Sequence, residues 1–289
     1  MYPAPFEYHR ASSVQDALAL LSQYGDDAKL LAGGHSLIPV MKLRFTAPSH
    51  LIDIGRLPEL SGVTEAGGTL RIGAATRHAD VIASPVVRAK APILAEAASH
   101  IGDPLIRNMG TIGGSVAHAD PAADLPAVLL ALGATMVARG PGGERTISVD
   151  DFFTDVFTTA LRPDEILVRI DVPPPGSGAG GAYAKNADPA SGYAIVGIAA
   201  QLTTSGGTIT AARVGMTGLG PKAMRLTAVE QGLAGKPATA ASIDAAASAA
   251  SDGVGFSDDS MRSAAYKANL ARVYTRRALV QALARATGG

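Results

Sequence analysis

Two stretches place a pair of glycines beside hydroxyl side chains: 32-AGGHSLIP-39 and 111-TIGGSVAHADP-121. Glycine has no Cβ, so its backbone can turn where other residues are hindered, and consecutive N–H groups can converge on an anion. Gly33 and Gly34 with Ser36 would form one such concavity, and Gly113 and Gly114 with Thr111 and Ser115 a second. Phosphate oxygens suit both, and two loops could grip a diphosphate from opposite sides without any excess of positive charge. A tight turn after a strand explains either glycine pair taken alone. The repetition, with hydroxyls at similar offsets, favours a shared ligand. Neither standard nucleotide fingerprint is present: 140-GPGGER-145 and 178-GAGGAY-183 fail G-x-G-x-x-G at the last position, and no G-x-x-x-x-G-K-S/T occurs.

The second stretch runs on into 118-HADPAAD-124, with His118, Asp120 and Asp124. A metal site is one reading of these three residues. A helix cap by Asp124, or acceptance of a hydrogen bond from a ligand hydroxyl, are the others.

Composition narrows the chemistry further. Lys plus Arg and Asp plus Glu number 25 each, which leaves no overall electrostatic footprint for nucleic acid or an anionic membrane. Aromatic residues make up 4% of the chain and Trp is absent, so the core must be built from Ala, Val, Leu and Ile. With no cysteine, the chain offers no disulfide, no thiolate zinc site and no all-Cys iron-sulfur ligation. The start, MYPAPFEYHR, lacks a basic segment followed by an apolar one, and no run approaches a membrane span. The sequence reads as a soluble cytoplasmic protein, and 289 residues suffice for two domains.

The glycine loops need elements to hold them. Ser13 and Asp16 have capping-box spacing ahead of Val14, Ala17, Leu18 and Leu21 on one helical stripe, with Gly25 beyond, which predicts a helix over 13–24. Strands are expected at 29–32, 51–54 and 69–75, and helices at 92–100 and 124–134, each begun near a proline. In 164-DEILVRIDV-172 the alternation of Ile166, Val168, Ile170 and Val172 predicts a strand. The stretch 173-PPPGSGAGG-181 then reads as a domain linker. Beyond it, 193–202 and 208–216 flank 203-TTSGG-207 as a hairpin, although the first is Ala-rich enough to be a helix. The segment 238–251 reads as helical or loosely ordered, and a last helix from about 258 to 286 aligns Tyr266, Leu270, Val273 and Val280. Arg272, Arg276 and Arg277 lie off that stripe and suit either a solvated face or a docking surface.

The pair 29-KLLAGGHSLIPVMKLR-44 and 107-RNMGTIGGSVAHADPAADLPAVLLAL-132 resembles the FAD-binding medium subunits of the molybdenum hydroxylases (the xanthine oxidase family), most of all the carbon monoxide dehydrogenase medium-subunit type. Residues 161–173, 183-YAKNADPASGYAIVG-197 and the C-terminal helix extend the similarity along the chain. The resemblance implies an α+β fold: a two-part FAD-binding domain of the vanillyl-alcohol-oxidase (PCMH) type over 1–175, with subdomains at about 1–57 and 58–175. A C-terminal domain over 176–289 would follow, with a three-stranded antiparallel sheet and helices.

It further implies that Ala32, Gly33, Gly34, His35 and Ser36 hold the FAD diphosphate together with Thr111, Ile112, Gly113, Gly114 and Ser115. Some members have Asn where Ser115 stands. Asp124 corresponds to an acidic residue at the FAD, and Lys185 to a lysine approaching the flavin, where a cation would favour the reduced ring. Ile101 and Leu167 correspond to apolar positions around the ring and Tyr193 to a cover on one face, with ordinary core packing as the alternative for these three. In such enzymes a large subunit holds molybdopterin and binds substrate, and a small one holds two 2Fe-2S clusters. The medium subunit passes electrons from FAD to an external acceptor, commonly within a dimer of heterotrimers. The alternatives are a self-contained FAD oxidoreductase of the same fold and a non-enzymatic nucleotide-binding assembly module.

Overall fold

The structure is a computed structural model that describes residues 1–288. Helix α1 (Val14–Tyr24) shows how local signals set an element. The Ser13 hydroxyl accepts a hydrogen bond from Asp16 N at 3.0 Å, and Gly25 ends the helix in a positive-φ conformation, bonding back to the Leu21 carbonyl. The Asp16 carboxylate reaches one residue further upstream than a capping box requires, accepting from the backbone and hydroxyl of Ser12. Val14, Ala17, Leu18 and Leu21 are buried. They cover a small parallel sheet of β1 (Glu7–Arg10), β2 (Ala28–Leu31) and β3 (His50–Asp53) in the order β1-β3-β2, with helix α2 (Leu37–Lys42) between β2 and β3.

A second, antiparallel sheet follows. It begins with β4 (Val63–Ala66) and β5 (Thr69–Gly73). A helical stretch intervenes: α3 (His78–Ala83), α4 (Pro85–Lys90), α5 (Pro92–Ser99), α6 (Pro104–Met109), α7 (Ile112–His118) and α8 (Asp124–Leu132). The chain then returns as β6 (Thr135–Gly140) and β7 (Gly143–Ser148), passes through α9 (Val149–Phe152) and the small ribbon of β8 (Phe153–Asp155) and β9 (Thr158–Thr159), and closes the sheet with β10 (Ile166–Val172). The order is β4-β5-β10-β6-β7.

The alternation read along β10 does not describe one face. A bulge between Leu167 and Arg169 shifts the register, so Ile166 and Val168 join the core under α1 while Ile170 and Val172 join Leu70 and Ile72 in the larger core. One extra residue reverses the facing of everything after it. The same bulge leaves Leu167 on the side of the larger core.

The third sheet uses β11 (Ala179–Ala187), β12 (Ala194–Ser205), β13 (Thr208–Thr217) and β14 (Met224–Arg225) in that order, all antiparallel. It is the expected three-stranded sheet extended at one edge by a two-residue strand. The Ala-rich run after Tyr193 is a strand, not a helix, because Gly206 and Gly207 both take positive φ and close a two-residue hairpin onto β13. Helices α10 (Thr227–Leu233), α11 (Ala240–Ala247) and α12 (Ala264–Ala286) cover it.

Helix α12 departs from expectation in two ways. It begins at Ala264, not near 258, because Ser263 caps it and the Asp259 carboxylate instead holds the N–H groups of Met261 and Arg262 in a turn. Its buried face is Leu270, Ala271, Thr275, Ala278, Leu279 and Ala282, whereas Tyr266, Val273 and Val280 are exposed. The helix lies so close to β11 that a Cβ on Gly180 would collide with the backbone of Ala282 and Ala286. At that close approach the helix presents Ala282 and Ala286, while Leu270 and Leu279 fill the buried face elsewhere along it. Of the arginines, Arg276 pairs with Asp244 and Arg277 lies over the Tyr274 ring.

The larger core is continuous across the connection at 173–178: Tyr183, Ala199 and Ala223 pack with Leu125, Leu129 and Phe152. Thr217 donates to the Pro121 and Ala123 carbonyls, and Arg213 reaches the Leu130 carbonyl and Asp150. Among the described residues no helix is long and apolar enough to cross a membrane.

Helix α8 sits directly on β13 at Gly215, where a Cβ would come within 2.9 Å of the Ala127 carbonyl carbon and closer still to its oxygen. Gly215→Val should therefore push α8 off the sheet and cost about 3 kcal/mol or more in urea denaturation, the upper range for overpacking. Gly253→Ala, at an open positive-φ turn, should cost about 1 kcal/mol.

Candidate functional site

Strand β2 delivers the first glycine loop to the edge of a cavity of about 610 Å³. Gly34 takes φ +73°, a left-handed conformation that suits glycine. The His35 ring bonds the Gly33 carbonyl at 2.8 Å, which folds the loop on itself. Among the described residues the N–H groups of Gly33, Gly34, His35 and Ser36 have no intramolecular acceptor. Four consecutive unpaired donors beside a cavity make an anion-binding concavity.

The second loop is built differently. Thr111 caps α7, its Oγ1 accepting from Gly114 N at 3.1 Å, while Ser115 N bonds the Thr111 carbonyl. Ile112 N donates to the Thr76 carbonyl at 2.9 Å and Gly113 N to the Ala74 carbonyl at 2.8 Å. The four N–H groups from Ile112 to Ser115 are thus spent inside the protein, and what this loop turns toward the cavity is hydroxyl. The expected pair of equivalent backbone cradles is in fact one cradle and one hydroxyl-bearing turn.

The glycines of both loops serve close packing as well. A Cβ on Gly33 would strike the Met109 carbonyl and come within 2.7 Å of Gly110 Cα, so the first loop rests on the chain leading into the second. A Cβ on Gly113 would strike Ala74.

The cavity brings together most of the expected residues: Ala32 to Ser36, Ile101, Thr111, Gly113 to Ser115, Asp124, Leu167 and Tyr193 all line it. Two do not. Ile112 is fully buried and belongs to the core, because the first turn of α7 points it inward. Lys185 lies behind the wall, its side chain 2% exposed, with its ammonium on the Asp124 carboxylate at 2.9 Å and on the His100 carbonyl at 3.0 Å. Its charge is neutralised by Asp124, so it is not a free cation in the cavity.

Asp124 is not the helix cap: Ala123 occupies that position, and Asp124 is the first residue of α8. Its carboxylate accepts from the Tyr183 hydroxyl at 2.5 Å and from Lys185. Burial pushes its pKa up, against the opposing pull of Lys185 and Tyr183. Tyr183, wholly buried beside this acid, is held well above the usual phenol range. Among the described residues, His118, Asp120 and Asp124 do not bring ligand atoms together: Asp120 binds the Ala122 N–H, and the His118 ring lies against Phe157. Tyr193 is 43% exposed at the cavity mouth, where burial raises its pKa.

Several cavity residues were not among the expected site residues. Ile106 and the 157–166 segment, with Phe157, Leu161 and Arg162, complete the wall. His78 is the most informative. It opens the six-residue helix α3 with no motif around it, is buried, and its Nδ1 has no hydrogen-bond partner. Burial first, then Arg107 and His35, hold its pKa down to about 4. The site therefore offers an open N–H cradle, hydroxyls of the second loop and an apolar lining from Ile101, Ile106, Leu161 and Leu167. These are the donors and surfaces that a phosphate-bearing, ring-containing ligand such as FAD requires.

His78 makes an acid-stability test. Its folded pKa lies below the unfolded value, so its contribution is present above about pH 6.5 and is lost as pH falls toward 4. Between pH 7 and pH 5 the wild type should lose about 2 kcal/mol through this group. His78→Gln should lack that component, which urea unfolding at the two pH values would read as a flatter acid limb.

The comparisons agree with this geometry. Residues 4–175 match the family model described as the FAD binding domain in molybdopterin dehydrogenase, and residues 181–282 match the CO dehydrogenase flavoprotein C-terminal domain. The chain is 46% identical to the carbon monoxide dehydrogenase medium chain of Hydrogenophaga pseudoflava over 99% of both. It is 41% identical to the 6-hydroxypseudooxynicotine dehydrogenase complex subunit alpha of Paenarthrobacter nicotinovorans, over 99% of this chain and 97% of that one. Its fold superposes on the solved carbon monoxide dehydrogenase structure from Hydrogenophaga pseudoflava with a TM-score of 0.95 at 47% identity, covering 99% of each chain. With both domain models matched in order and full-length relatives well above 30% identity, the chain belongs to the FAD-binding medium subunits of the molybdenum hydroxylases, of the carbon monoxide dehydrogenase medium-chain type.

Proposed function

We propose that this chain holds FAD between its two glycine loops and serves as the electron-output subunit of a heteromeric molybdenum hydroxylase. The observation that carries the reading is the row of four unpaired N–H groups at Gly33 to Ser36, beside a cavity whose lining includes the apolar Ile101, Ile106, Leu161 and Leu167. When bound, FAD supplies a centre that accepts electrons and releases them singly or in pairs.

The chain's own residues fix where that centre sits. The first loop binds the diphosphate through backbone donors. Thr111 and Ser115 add hydroxyl donors from the second loop, and Asp124, steadied by Tyr183 and Lys185, accepts from a ligand hydroxyl. Ile101 and Leu167 would border the ring and exclude water, and Tyr193 would cover it from the cavity mouth.

The absence of cysteine supports a division of labour, since 2Fe-2S clusters must then sit on a partner. On this reading the chain joins a large molybdopterin subunit and a small 2Fe-2S subunit in a dimer of heterotrimers, and an external acceptor takes the electrons. Relatives named for carbon monoxide and for 6-hydroxypseudooxynicotine resemble this chain to a similar degree. That supports substrate choice residing elsewhere in the complex.

Two measurements test the proposal. The FAD content of purified Gly34→Val should collapse while its fold persists, and Ser115→Ala should weaken binding by about 1 kcal/mol, roughly fivefold. Full FAD occupancy in folded Gly34→Val would remove the first loop from the site. Separately, the isolated FAD-loaded chain, kept anaerobic, should be bleached in the flavin band by chemical reductant but not by molybdenum-hydroxylase substrates until the partner subunits are added. Rapid bleaching of the isolated chain by an organic substrate would instead make it a self-contained oxidoreductase.

A further inference from the structure

Away from the cavity, the parallel sheet places three metal-binding side chains on one face. Glu7 and His9 are two residues apart on β1 and so point to the same side. In the β1-β3 register Glu7 faces His50, the first residue of β3. The His9 Nε2 and His50 Nδ1 atoms are 3.0 Å apart, and the Glu7 Oε2 lies 3.9 Å from the first and 3.7 Å from the second. The point equidistant from these three atoms is about 2.1 Å from each, which is the bond length zinc makes to histidine nitrogen and carboxylate oxygen. None of the three residues lines the cavity of the FAD site.

The imidazoles are held in place from behind. Tyr24, at the end of α1, stacks on His50 with ring centroids 3.8 Å apart and on His9 at 4.8 Å. Both histidine side chains are about four-fifths buried, at 21% and 18% exposure, while the Glu7 carboxylate is open to solvent. An aromatic backing that holds two rings, beside one solvent-exposed carboxylate, suits an ion with three protein ligands and one water.

We propose that Glu7, His9 and His50 form a binding site for a late divalent transition ion, zinc being the fitting member, separate from the FAD site. In the metal-free state one ring donates to the other across the 3.0 Å contact. For the ion to bind, each neutral ring carries its proton on its outer nitrogen, His9 on Nδ1 and His50 on Nε2. A small rotation then turns both inner lone pairs from each other to the common point. The proton redistributes between ring nitrogens and none need be lost. Two nitrogen ligands and one carboxylate favour zinc over magnesium or calcium, which take oxygen sets. The ion would staple β1 to β3, and β3 in turn pairs with β2, the strand that carries the first glycine loop.

The test is calorimetric titration of zinc chloride into the metal-free full-length chain, with magnesium chloride as comparison. One zinc per chain is expected, reversed by EDTA and accompanied by a rise in melting temperature, with no magnesium binding at this site. His9→Gln and His50→Gln should each weaken zinc binding at least about tenfold, since loss of a ligand should exceed the 10- to 100-fold typical of outer-shell changes. Glu7 is solvent-exposed, so Glu7→Gln will fold even where a histidine variant fails. It should weaken zinc binding while leaving the metal-free melting temperature unchanged. Absence of stoichiometric zinc binding in the wild type, or an unchanged zinc affinity in Glu7→Gln, would overturn the three-ligand site.

Discussion

The buried contact of Asp124 with Lys185 and Tyr183 is the constraint on which the arrangement of the cavity depends. Taking a carboxylate and an ammonium out of water is costly, and the cost is offset only when the geometry is good and the remaining hydrogen-bonding capacity is met. Here Asp124 accepts from both partners, and Lys185 also reaches the His100 carbonyl just past the end of α5. Three parts of the chain, α8, the end of α5 and β11, are thereby locked together at the cavity wall. Removing one member would leave another charged and unpaired in a dry place, so the network specifies one placement of the third sheet against the second.

That placement also positions the cavity mouth. Strand β11 leaves the network at Lys185 and enters a turn braced by Asp188, whose Oδ1 accepts from the N–H groups of Ala190 and Ser191 and from the Ser191 hydroxyl. Asp188 N then bonds the Tyr193 carbonyl at 2.8 Å, closing the turn at its base. Tyr193 emerges from this brace with a defined backbone and an exposed ring. A side chain at a cavity rim can contact a ligand at low entropic cost when its backbone is already ordered.

How much of this was legible in the sequence depended on whether the deciding contact was local. The cap at Ser13, the stop at Gly25 and the hairpin at Gly206-Gly207 are decided within a few residues, and each stands where the sequence put it. The face of β10 and the face of α12 were misread because the deciding partners are remote. A register shift against β6 turns half of β10 over, and the close contact of Ala282 and Ala286 with Gly180 decides which face of α12 meets the sheet. His78 and the cluster of Glu7, His9 and His50 gave no signal for a related reason. A polar residue's partners, or its lack of any, exist only after remote segments have met; Glu7 and His50 are brought together by strand register alone.

The two glycine motifs show how similar residues acquire different work from their context. In the first loop the left-handed Gly34 lets the chain bend without using its donors, so four N–H groups stay open. In the second, the glycine pair lies in the first turn of a helix capped by Thr111, and the donors that the first loop leaves free are claimed by the Thr111 cap and by the carbonyls of Thr76, Ala74 and Thr111. A backbone cradle tolerates many side chains but little change in conformation, whereas a turn that binds through hydroxyls depends on which side chains it carries. The resemblance to family members with asparagine at the position of Ser115 fits the second case, because an amide preserves a donor where the backbone has none left to offer. Selective pressure on the first motif should therefore act on φ and ψ, and on the second through hydrogen-bonding capacity at Thr111 and Ser115 together with the tight contact of Gly113 on Ala74.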